Sequence, residues 1–171
     1  MRFWPFPPIQ SRAKASTLLS FLAEASRRAG FFGAGRLPDT LDGRFELLTL
    51  HAMLALRRLR QEPPLAQVAQ LFTDTLFRHF DAGLREAGVG DLSVPKRMQK
   101  LAGAFYGRLG AYDQALAEGR PSIEAALTRN ALAGDPQFAP LLAGYVERAA
   151  ADLAALPAAA LFEAGAWPPP P

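Results

Sequence analysis

With 171 residues, half of them apolar and a fifth charged, the chain has the material for one globular domain with a substantial core. It contains no cysteine, which excludes disulfides, thiolate metal sites, iron–sulfur clusters, covalent c-type haem attachment and a cysteine nucleophile. The net charge of +3 is unevenly spread: residues 1–35 carry +4, 36–63 +1, 64–92 −2, 93–110 +4 and 111–171 −4, a layout suited to an anionic partner or simply to solubility.

The N-terminus, MRFWPFPPIQSRAK, is interrupted by Pro5, Pro7 and Pro8 and has no apolar stretch of signal-peptide length. No run of about 18 apolar residues occurs, so no membrane-spanning helix is expected and the chain reads as cytoplasmic. Residues 1–15 read as a flexible basic arm. A first helix is predicted from Ser16 to Arg28, ending before GFFGAG. A second follows Asp42, its candidate N-cap, and runs to Arg60 with Phe45, Leu48, Ala52, Ala55 and Leu59 on one face. Leu47, Leu50 and Leu54 make it apolar most of the way round, so it should be central.

A third helix, from Pro63 and Pro64 to about Ala87, carries a core stripe of Val68, Leu71, Phe72, Thr75, Leu76, His79, Phe80 and Leu84. Its opposite side carries Asp74, Arg78, Asp81 and Arg85 in alternating sign at spacings of four, three and four. That pattern suits either self-paired surface charges or a docking face. A fourth helix, Val94 to Leu116, turns Met98, Leu101, Ala102, Phe105, Leu109 and Tyr112 inward. Gly103 and Gly107 lie on another face, open to close approach by a backbone. Shorter helices from Ser122 to Leu132 and from Phe138 to Leu156 are separated by AGDPQ. AGAWPPPP, with the rest of residues 157–171, reads as an extended, solvated Pro-rich tail. The expected fold is all-α: a single-domain bundle of about six helices over residues 16–156, with irregular termini.

Catalytic signatures are missing. His51 lies on an apolar helix face, and Glu46, five residues away, does not complete the Glu-x-x-His pattern of helical di-iron sites. No His-Glu-x-x-His motif, nucleophile elbow or P-loop occurs. A buried, hydrogen-bonded role for His51 is expected; an enzyme using it with Glu46 or Asp42 is the remote alternative. No catalytic residue, metal site or cofactor is expected.

The segment between the third and fourth helices, REAGVGDLSVPKR, poses a charge problem. Gly88 and Gly90 suit a helix end, Ser93 an N-cap and Pro95 a first turn. Yet Lys96, Arg97 and Lys100 sit where the helix is already partly positive, an unfavourable placement of about 0.3–1 kcal/mol per exposed charge. Either Asp91, Asp113 or other carboxylates neutralise them, or they await a negative partner.

The stretches LPDTLDGRFELLTLHAMLALRRLR (37–60), LFTDTLFRHFDAGLREAGVGDLSVPKRMQKLAGAFYGRLGAYDQAL (71–116) and LTRNAL (127–132) resemble the ubiquinol–cytochrome c chaperone family, assembly factors for the cytochrome bc complex. The motifs PDT-x-DGRFE and LRE-x-GVGDLSVPKR are long and specific. Thr73 and His79 depart from the pattern, so His79 reads as idiosyncratic. The resemblance implies a non-enzymatic chaperone that binds newly made cytochrome b, or another bc subunit, with a small partner assembly factor, before haem insertion. It further implies work near the ribosome or an anionic membrane surface, peripheral to the inner face, and no DNA partner. The composition suggests a bacterial member. Candidate partner-binding residues are Gly88, Val89, Gly90, Asp91, Lys96, Arg97 and Lys100, with Arg44 and Glu46 from the GRFE motif and Arg78 and Arg85 from the third helix. Phe31, Phe32 and Leu37 are candidates for an apolar groove. The competing reading is an RNA- or ribosome-associated protein acting through its basic patch.

Overall fold

The computed structural model describes residues 9–163 and 165–171. Six α-helices account for most of them: α1 (Ile9–Ser26), α2 (Leu41–Arg60), α3 (Ala66–Glu86), α4 (Val94–Glu118), α5 (Arg120–Asn130) and α6 (Ala139–Ala155). Single turns of 3-10 helix occupy Ala29–Phe31, Pro63–Leu65 and Ala158–Phe162. Among the described residues there is no β-strand; a lone bridge joins Phe32 to Leu37.

The all-round apolarity of α2 has the expected consequence. Every residue from Phe45 to Leu56 is buried, and the helix touches α1, α3, α4 and α6. α1 packs most extensively against α3, and α5 bridges α4 and α6. The α3 stripe buries Val68, Phe72, Leu76, Phe80 and Leu84, leaving Leu71, Thr75 and His79 half-buried at its margins. Phe45, Phe77, Phe80 and Phe105 knit α2, α3 and α4 together through tilted and edge-to-face contacts with ring centroids 5.1–6.3 Å apart.

α1 starts earlier than its sequence suggests. Residues 9–15, assigned above to the flexible arm, form its first turns, and Ala15 is fully buried. Residues 1–8 of that arm lie outside the described residues. α2 is capped by Thr40, not Asp42: the Thr40 hydroxyl accepts the Gly43 N–H at 3.2 Å. The short polar side chain two positions upstream satisfies the free N–H and makes Asp42 a first-turn acid, where its charge suits the helix dipole.

The C-terminal segment is not a solvated tail. Trp167 is 5 % exposed and lies against the His51 ring, centroids 5.0 Å apart. The Arg28 guanidinium donates to the carbonyls of Trp167 and Pro168 at 3.3 and 2.8 Å, and Arg36 donates to the Pro171 carbonyl at 2.7 Å. The cause is chemical. Proline removes backbone donors but leaves every carbonyl free to accept, and two arginines of the 28–36 region supply the donors.

Candidate functional site

The two motif segments can be taken apart residue by residue, separating what the fold uses from what it leaves over. In PDT-x-DGRFE, Thr40 caps α2, and a Cβ at Gly43 would overlap the Pro38 carbonyl, so only glycine fits the tight entry to the helix. Asp39 accepts from the Arg44 guanidinium at 2.7 Å on the surface, which holds its carboxyl below the usual carboxylate range. Glu46 is buried and bound by Arg108 of α4. Burial raises the Glu46 pKa and the Arg108 charge opposes that rise. Glu46 is therefore an interior tie between α2 and α4, not a surface contact; the helix phase that carries Phe45 and Leu47 inward takes it along.

In LRE-x-GVGDLSVPKR, Gly88 has φ of +80°, the left-handed conformation that ends α3, and the Val89 N–H donates to the Leu84 carbonyl at 3.0 Å. Arg85 is shared by Asp81, at 2.8 Å, and Asp91, clipping the loop to the end of α3. The Ser93 N–H closes a turn onto the Gly90 carbonyl at 2.8 Å, but its side chain makes no capping bond. The fold thus employs Arg85, Gly88 and Asp91. It leaves Leu92 at 99 % exposure, and Lys96, Arg97 and Lys100 exposed with no ion pair or side-chain hydrogen bond among the described residues. The carboxylates proposed to neutralise them are occupied elsewhere, Asp91 by Arg85 and Asp113 by Arg57 and Arg60.

The charge ladder of α3 is half formed. Arg85 pairs with Asp81, whereas Arg78 turns to the Thr75 hydroxyl at 2.9 Å and Asp74 accepts from Gln70 at 3.1 Å. The expected apolar groove is not where the sequence placed it. Phe31 and Leu37 are fully buried, and only Phe32 reaches the surface. Phe31 fills the core edge-to-face against Tyr145, at 4.9 Å, because the turn at Ala29–Phe31 folds the loop back onto α6. A groove exists instead between the C-terminal half of α2, the start of α3 and the middle of α4. It is open, about 590 Å³ in volume, and floored by Leu56, Leu59, Pro63, Ala69, Tyr106 and Leu109. Tyr106, 57 % exposed, stacks on Phe77 and forms one wall. This groove escaped sequence reasoning because its floor residues read as ordinary core stripe; the exposed Tyr106, off the α4 stripe, was the available signal. By the 1.5 Å rise per residue, Tyr106 of the groove lies about 9 Å along α4 from Lys100, the nearest of the three cations.

His51 is settled as structure. Its Nδ1 lies 2.8 Å from the Leu47 carbonyl, which can only accept, so Nδ1 carries the proton and Nε2 accepts the Tyr145 hydroxyl at 2.7 Å. Burial depresses its pKa to about 4. Burial likewise raises the Tyr145 and Tyr112 hydroxyls above their usual range. No group of three metal-ligating side chains occurs among the described residues, and no helix there is long and apolar enough to cross a membrane.

Residues 34–167 match the family model described as Ubiquinol-cytochrome C chaperone. The fold is similar to the crystal structure of the Cbp3 homolog from Brucella abortus, with a TM-score of 0.79 and 39% sequence identity, covering 90% of this chain and 87% of that one. Two curated proteins are also similar: ubiquinol-cytochrome-c reductase complex assembly factor 1 of Xenopus laevis and its namesake of Mus musculus, each 26% identical over 122 residues. Those alignments take in 69% of this chain but only 61% of the frog protein and 41% of the mouse protein.

Proposed function

The chain belongs to the ubiquinol-cytochrome C chaperone family, and from that premise we propose that it is an assembly chaperone for the ubiquinol–cytochrome c reductase complex. Its client is newly made cytochrome b, or another bc subunit, held before haem insertion and subunit joining. It acts without catalysis, as a peripheral protein at the inner face of the membrane, alongside a small partner assembly factor. The observation that carries this reading is the match of one family model to residues 34–167, over a fold shared with the Brucella abortus protein.

The geometry supports it in two ways. The groove beside Tyr106 is apolar on its floor and polar at its rim, with Arg60 and Asp113, which suits an apolar segment of a membrane subunit not yet packed against its partners. The helix start after the Gly88–Ser93 loop supplies, through Lys96, Arg97 and Lys100, positive charge that has no ion pair among the described residues; Arg78 adds a further exposed cation, whereas Arg44 and Arg85 are paired with carboxylates. Acyl-transfer or metal chemistry has no comparable support in these residues.

Affinity purification of the tagged chain from detergent-solubilised membranes of its host tests the proposal. Cytochrome b or another bc subunit is expected among the captured proteins. Recovery of ribosomal RNA with no bc subunit would replace the proposal with the RNA-binding reading.

A further inference from the structure

We propose that the α3–α4 loop is a lipid-docking tip: Leu92 enters the headgroup–acyl boundary of an anionic bilayer while Lys96, Arg97 and Lys100 engage the lipid phosphates. The inference rests on the peripheral placement proposed above and deepens it by naming the surface that would make the contact. It starts from a conflict. Leu92 is 99 % exposed, the most exposed large apolar side chain among the described residues, yet the backbone of its loop is tied down by hydrogen bonds and an ion pair. Val89 N–H to Leu84 O at 3.0 Å, Ser93 N–H to Gly90 O at 2.8 Å and the Arg85–Asp91 clip all fix the backbone that carries it. The leucine is held out rather than left loose.

The charges beside it have a matching oddity. Three cations occupy the first two turns of α4, where the helix dipole opposes them, and no carboxylate among the described residues pairs with them. Asp91, the acid within the loop, is already held by Arg85. An exposed apolar tip followed by cations in the next two helical turns is an arrangement that partitions into an anionic interface: the apolar group leaves water, and the long basic side chains reach the phosphates. A nucleic acid would use the cations but give Leu92 nothing to bury. A protein partner would need a surface to close upon, and no residue from Ala87 to Leu101 lines the groove beside Tyr106. One projecting leucine on a convex tip falls well short of the roughly 800 Å² per partner that a stable protein interface buries. A bilayer deforms around such a tip and has no such requirement.

The test uses the purified full chain and vesicles of phosphatidylcholine with or without phosphatidylglycerol, read by flotation. Each cation near an anionic surface is expected to strengthen partitioning roughly fivefold, and burial of Leu92 at least tenfold. The chain should float with the anionic vesicles only, and the more so at low salt. Lys96→Glu/Arg97→Glu/Lys100→Glu should abolish flotation and Leu92→Ser should weaken it at least tenfold. All four sites are exposed, so both variants should keep the wild-type helical circular dichroism, which is checked first. Equal binding to neutral and anionic vesicles, or flotation that neither variant alters, would overturn the proposal. So would loss of bc-subunit capture from detergent by the charge-reversed variant together with no vesicle binding by wild type, since the tip would then be a protein contact. The vesicles contain no protein, so their result stands apart from that of the affinity purification.

Discussion

At the scale of single residues, His51 makes the sharpest prediction. Both ring nitrogens are satisfied in the neutral form, and burial lowers the folded pKa to about 4 against an ordinary 6.5. Below pH 6.5 the unfolded chain takes up a proton that the folded chain refuses until about pH 4. This contribution is therefore whole above pH 6.5 and is lost as pH falls to about 4, by roughly 3 kcal/mol. Urea unfolding at pH 7 and pH 4.5 should show His51→Gln losing less stability over that interval than the wild type does. An identical loss in the two proteins would mean that His51 is not held neutral. The buried, hydrogen-bonded histidine was legible in the sequence because an apolar helix face leaves an imidazole few other roles. Phe31, Leu37 and Glu46 were not. The burial of loop residues depends on where the chain returns, and the interior partner of Glu46, Arg108, lies 62 positions away.

At the scale of elements, the 3.6-residue period revealed six helices, whereas their ends depended on side-chain chemistry that several residues could supply. Ser, Thr and Asp all cap helices, so the expectation of Asp42 rested on composition, and the backbone path selects Thr40 instead. The C-terminal segment misled because proline-rich composition describes local stiffness and says nothing of the Arg28 and Arg36 donors waiting elsewhere. On α4, Gly103, Gly107 and Gly110 lie on the exposed side, and a Cβ at any of them would meet nothing within 4 Å. The close backbone approach that glycine permits is thus unused within the fold. Gly103→Ala and Gly107→Ala should each raise stability by about 0.5–1 kcal/mol, because alanine favours the helix and narrows the unfolded ensemble. Thermal melts of the single and double variants check this; a fall in Tm would mean that α4 is packed more tightly than its surface implies.

At the scale of the whole molecule, the charge asymmetry visible in the sequence becomes spatial. The basic start of α4 carries no ion pair among the described residues, whereas in the acidic C-terminal third Glu147 binds Arg120 across α5 and α6. Arg58 shows the opposite use of a cation: it is buried, and it satisfies the Leu153 and Leu156 carbonyls at the end of α6, where positive charge is favourable. Arg58 and Arg85 thus sit in the last turns of their helices, where positive charge is favoured, whereas Lys96, Arg97 and Lys100 lie in the first turns of α4 without an ion pair among the described residues. The groove was the hardest feature to read from the sequence, since a concavity arises from three helices whose stripes are each unremarkable and Tyr106, off the α4 stripe, is its one outward sign. The family fold, the apolar groove and the uncompensated basic tip together support the proposed role in assembly of the bc complex.

The most direct test is to quantify that complex in membranes of the host after deletion of this chain, by difference spectra of b- and c-type haem and by native electrophoresis. The account predicts loss of the assembled bc complex with the other respiratory complexes retained, and restoration by the wild-type chain. A bc complex present at wild-type levels in the deletion strain would contradict it.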